Sequence, residues 1–101
     1  MADSYNDYPQ AARVNAQRAL NIRDQYGISC GTPTGWARAN QISKGENITR
    51  ETISRMASFE RHRQNSAGDP KKDCGALMWL AWGGDEGIAW AQRKLKDIDN
   101  G

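Results

Sequence analysis

A chain of 101 residues is the length of one domain. Its hydrophobic fraction of 38% and mean hydropathy of −0.86 leave room for a small core only, which four tryptophans must largely fill. A net charge of +2 and a pI near 8.7 fall short of a dedicated nucleic-acid binder, and no apolar run approaches the ~18 residues of a membrane span.

The opening Met-Ala-Asp-Ser-Tyr-Asn-Asp-Tyr-Pro lacks the basic-then-apolar pattern of a leader, so the chain reads as soluble and made in the cytoplasm. Residues 1–6 are polar and are expected to fray. A first helix opens with Asp7 or a neighbour as cap and Pro9 in its first turn, where a missing N–H is harmless. Ala12, Ala16, Ala19, Ile22 and Tyr26 then recur at helical gaps, Leu20 widens the stripe, and Gly27 is a natural stop. Thr32-Pro33 repeats the start signal as N-cap and first residue. Trp36, Ala39 and Ile42 form the inward stripe of this second helix, closed by Lys44-Gly45.

Thr49 caps a third helix, and Ile48 before it can staple onto Ile53. Ile53, Met56 and Phe59 face inward, while Arg50, Arg55, Arg61, His62 and Arg63 make the helix basic up to Arg63. Residues 64–72, with Gly68, Pro70, Lys71 and Lys72, have the composition of an exposed loop. Asp73 is placed to cap the next helix. From Ala76 to Trp82 no polar residue interrupts the run, so this segment has no solvent face and must be wrapped by the others. Gly83-Gly84 turns the chain, Asp85 caps again, and Ile88, Ala91, Leu95 and Ile98 line a last helix with Trp90 on its flank. No segment alternates with period two. The fold expected over 1–101 is all-α: one compact domain of about five short helices around the Trp-rich one.

Few constellations suggest chemistry. Cys30 and Cys74 are too few for a disulfide scaffold; reduced thiols suit a cytosolic chain, and a Cys30–Cys74 disulfide is the alternative. A metal site using both thiols and His62 lacks any C-x-x-C spacing, so no metal or cofactor is expected. Residues 34–63 resemble a helix-turn-helix with Arg50, Arg55 and Arg61 as readers, yet Glu51 and Glu60 break the single-sign face, and a plain helical hairpin explains the same pattern. The four tryptophans could form a stacking platform, but three fall on apolar helical stretches and read as core. The glycines before Asp85 tempt a phosphate-loop reading that Asp85 and Glu86 would repel. His62 has no nucleophile or orienting group named by spacing, and the carboxylates serve as caps and surface charges. No catalytic set is visible.

Three ordered blocks carry a resemblance. Gly31-Thr-Pro-Thr-Gly-Trp36-Ala-Arg-Ala-Asn-Gln, Thr52-Ile-Ser-Arg-Met56-Ala-Ser-Phe59-Glu-Arg-His62 and Ala81-Trp82-Gly-Gly-Asp85-Glu-Gly87-Ile-Ala-Trp90-Ala resemble a small domain of tailed bacteriophages. That domain occurs alone or appended to head-maturation proteases and other head-region proteins. The match covers Ala12 to Ile98. It departs where the family places its His three residues after a second Phe-like position; here Glu60 follows Phe59 and Arg63 follows His62. The resemblance implies a phage-encoded, non-enzymatic accessory protein acting on a head component or host protein, in the host cytoplasm or associated with the virion. It transfers no catalytic residue. The expected contact face is Arg50, Arg55, Arg61, His62, Arg63, Lys71 and Lys72, with DNA contact by the same face as the alternative.

Overall fold

The computed structural model describes residues 3–101. Five α-helices carry the chain: α1 (Gln10–Tyr26), α2 (Pro33–Ser43), α3 (Arg50–Ser58), α4 (Cys74–Ala81) and α5 (Gly84–Asn100). A 3-10 segment, Phe59–Asn65, prolongs α3. The all-α expectation holds.

Three helix starts follow their sequence signals. Thr32 Oγ1 accepts from the Gly35 N–H at 3.0 Å with Pro33 as the next residue, and Thr49 Oγ1 accepts from the Thr52 N–H at 3.3 Å. Asp73 Oδ1 accepts from the N–H groups of Gly75 and Ala76 at 2.9 and 3.4 Å. Each satisfies donors that a helix N-terminus leaves unpaired.

Two starts differ. Pro9, extended at φ −67° and ψ 155°, is itself the N-cap of α1 and offers no side-chain cap; Asp7 instead accepts from Lys94 Nζ at 3.0 Å. α5 begins at Gly84 with Gly83 as N-cap at φ 105°, a left-handed value that a side chain would strain. Because the Gly83-Gly84 bend reverses the chain so tightly, Asp85 lies inside the helix and turns back to accept the Trp79 indole N–H at 2.8 Å.

The N-terminal stretch is not wholly frayed. Ser4–Tyr5 (β1) pairs antiparallel with Ile48–Thr49 (β2), Ser4 opposite Thr49 and Tyr5 opposite Ile48. Tyr8 explains the anchoring: its ring is buried edge-on against Trp90, centroids 5.4 Å apart, and its hydroxyl donates to the Glu46 carbonyl at 2.6 Å. Met1 and Ala2 lie outside the described residues.

The third helix stops at Ser58 rather than Arg63. The Phe59 N–H is shared among the carbonyls of Arg55, Met56 and Ala57, and the backbone tightens into the 3-10 turn. The exposed loop expected over 64–72 accordingly starts after Asn65.

The Trp-rich helix α4 is wrapped by α1, α2, α5 and the 3-10 segment, except at Leu80, which is only partly buried where α4 leaves an open side next to Asp85 and Glu86. Leu77, Trp79 and Trp82 are buried there. Ala12, Ala16 and Ala19, fully covered, let α1 lie close against its neighbours. Tyr26, expected to point inward, is the last residue of α1, where the chain turns away at Gly27, and its ring is 50% exposed. Leu95 and Ile98 are only partly buried, because α5 runs on past the body of the core.

Candidate binding surface

Residues from the second and third sequence blocks meet in one packed corner. Phe59 stacks on Trp82, centroids 5.8 Å apart at 28°, and lies 6.2 Å from Trp79. His62 leans on Phe59 at 4.8 Å. Arg63 sits 5.1 Å over the Trp79 ring, pairs with both oxygens of Glu60 at 2.6 and 3.0 Å, and reaches Asp85 at 3.6 Å. Asn15 closes the far side, donating to the Gly83 carbonyl and to Glu86 Oε1 at 2.9 and 2.8 Å. His62 and Glu60 are engaged within the 3-10 segment, by Phe59 and Arg63, and Asp85 joins that segment to the α4–α5 bend through Arg63. Trp79 and Trp82, at 3% and 6% exposure, are core rather than a stacking platform.

The basic residues expected to share a face separate into two kinds. Arg50 forms a two-pronged pair with Asp99 at 2.7 and 2.8 Å, joining the start of α3 to the end of α5, and its hydrogen bonds hold the Asp99 carboxyl below the ordinary value. Arg63 does the same to Glu60. Arg55 and Arg61 are exposed and have no ion pair among the described residues. The principal partners of α2 are α1 and α4, whereas those of α3 are α5 and the 3-10 segment. Arg50, at the N-terminus of the would-be reading helix, is committed to Asp99.

Lys71 and Lys72 belong elsewhere, with the cysteines. Cys30 and Cys74 form a disulfide, with Cα atoms 6.2 Å apart, that ties the α1–α2 linker to the first residue of α4 across a sequence separation of 44. In this bonded form neither sulfur is a free thiol. The linker is held at that spot by Trp36, whose indole N–H donates to the Cys30 carbonyl at 3.0 Å beneath the Arg23 guanidinium. The disulfide and Leu77 form the base of an open groove of about 410 Å³ between the end of α1 and the segment leading into α4. Tyr26, Lys71 and Lys72 stand at its sides, with Lys71 Nζ 5.8 Å from the Tyr26 ring centre. Asp73 lines it too, but its carboxylate is used on the α4 N-terminus. Sequence reading missed Tyr26 because helical spacing put it on the buried stripe; its position directly before Gly27 was the available sign.

Comparison of the chain with protein families, with characterised proteins and with solved structures finds no match.

Proposed function

We propose that this protein is a phage-encoded, non-enzymatic binding module that recognises a protein partner, with phage head components as the first candidates, through the groove beside the Cys30–Cys74 disulfide. The observation that carries the reading is the groove itself: Tyr26 exposed over a base fixed by a cross-link and flanked by Lys71 and Lys72. Tyrosine anchors set in rigid surroundings are typical of protein interfaces. The engagement of His62, Glu60 and Asp85 in packing supports a binding rather than a catalytic role. The three sequence blocks support the phage origin. A disulfide persists outside a reducing cytosol, which favours the virion-associated location over the host cytoplasm.

Chemical cross-linking in phage-infected cells, read by mass spectrometry, tests this. The wild-type protein should cross-link to head components, and a Tyr26→Ala, Lys71→Glu double variant should lose those links while keeping its fold. Links that survive the double variant, or their absence from wild type, refute the groove as the contact. Tight, salt-sensitive binding to duplex DNA would replace this reading with the nucleic-acid one.

A further inference from the structure

The outer side of α1 carries a second surface that shares no residue with the disulfide groove and does not depend on it. Val14 is 55% exposed, the most exposed large hydrophobic side chain among the described residues. It lies in a shallow groove of about 400 Å³ whose charged lining is positive only, from Arg13 and Arg18, with no Asp or Glu among the lining residues. Neither arginine has a carboxylate within ion-pair distance among the described residues. Arg13 is held in place: its Nη1 meets Gln10 Oε1 at 3.4 Å, and its guanidinium lies so close over Gly45 that a Cβ there would sit 3.0 Å from Cζ. A cation already fixed in position loses less freedom when it pairs. Gln17 donates to Asn21 Oδ1 at 2.9 Å, and both residues line the groove, with the Gln17 carbonyl and the Asn21 amide nitrogen not used in that bond.

We propose that this stripe docks a short acidic segment of a protein partner, one apolar side chain resting on Val14 and carboxylates on Arg13 and Arg18. From Gln10 to Asn21 the stripe runs about 16 Å along α1, the reach of about five extended residues. Charge complementarity selects the occupant: unpaired guanidiniums beside an aliphatic patch match carboxylates interspersed with apolar side chains. Nucleic acid fits less well, because the groove offers two cations and no aromatic face on which a base could stack.

The test is a titration of the full-length, disulfide-intact protein, followed by backbone amide NMR shifts, with a blocked peptide of Asp and Glu around a central Leu. Shifts should gather on Gln10–Asn21 and Ser43 and shrink with added salt. Arg18→Glu should weaken binding by about tenfold or more and Val14→Asp should abolish it, both with unchanged thermal midpoints because the sites are exposed. The same peptide with Lys in place of the acids should not bind. No shifts at low salt, shifts outside the stripe, indifference to both variants, or equal binding of oligothymidylate would each overturn the proposal. A Tyr26→Ala variant should bind the peptide like wild type, which separates this result from failure of the disulfide groove.

Discussion

Removing the Cys30–Cys74 cross-link should weaken the fold by about 4 kcal/mol. The two cysteines are 44 residues apart, and closing a loop of that length removes about 13 cal/mol/K of entropy from the unfolded chain on the chain-entropy relation. At 25 °C that is about 4 kcal/mol, within the ~2–5 kcal/mol observed when small domains lose a native disulfide. For a total stability of about 5–15 kcal/mol it is about a quarter or more of what holds the molecule folded. In thermal terms it amounts to a drop of about 15–30 °C in the midpoint. The assay is urea and heat unfolding of the oxidised protein beside the same protein in excess dithiol, with a Cys30→Ser, Cys74→Ser variant as the permanent equivalent. Trp36 is a convenient reporter, since its indole hydrogen-bonds to Cys30. The urea slope should be steeper without the cross-link, because a freed unfolded chain exposes more surface. Coincident midpoints and slopes in the two redox states would refute the reasoning and place the linker's order in packing alone.

Trp82→Ala should destabilise by about 3–5 kcal/mol, since it empties the space between Phe59 and the second helix; urea denaturation measures it. Asp85→Ala should cost about 1 kcal/mol by leaving the Trp79 indole N–H without its acceptor, visible as a lowered thermal midpoint. Arg55→Ala and Arg61→Ala should each move stability by less than about 0.5 kcal/mol by the same measurement. Acid should loosen the ends of the molecule. Burial pushes the Asp7 carboxyl up, but the Lys94 hydrogen bond and charge, with a backbone hydrogen bond, more than reverse this and leave it lowered. Glu60 and Asp99 are lowered by hydrogen bonds from Arg63 and Arg50. Carboxyls lowered on folding stabilise above their unfolded values, so their contribution is present above about pH 4 and is lost as pH falls through the folded values. The thermal midpoint should therefore decline below about pH 4, and less steeply in high salt. A flat profile there would mean these exposed pairs contribute nothing.

How much of this was legible in the sequence depended on how local each signal was. Thr32, Thr49 and Asp73 act within three residues of themselves, and the structure uses all three as their spacing implied. The apolar run from Ala76 to Trp82 could only be interior. Asp85 also had good cap spacing, yet a tertiary acceptor role to Trp79 across the glycine bend prevailed. The β1–β2 pairing is two residues long, too short to show a period. Arg50–Asp99 joins residues 49 apart, and the disulfide depends on where a six-residue linker lies, so neither is encoded in any local window. At the binding surface, Lys71 and Lys72 were found by composition. Tyr26 and Val14 were overlooked because periodicity describes a helix as if it were covered along its whole length.

The β1–β2 ladder holds the first described residues alongside the last: Asp3, Tyr5, Lys94 and Gly101 border a single shallow depression. Tyr26 ends α1, about 24 Å along its axis from Gln10, and Cys30 of the disulfide lies in the linker that follows. A polypeptide joined at either end of the described chain would thus leave beside this depression, and the groove beside the disulfide would stay uncovered.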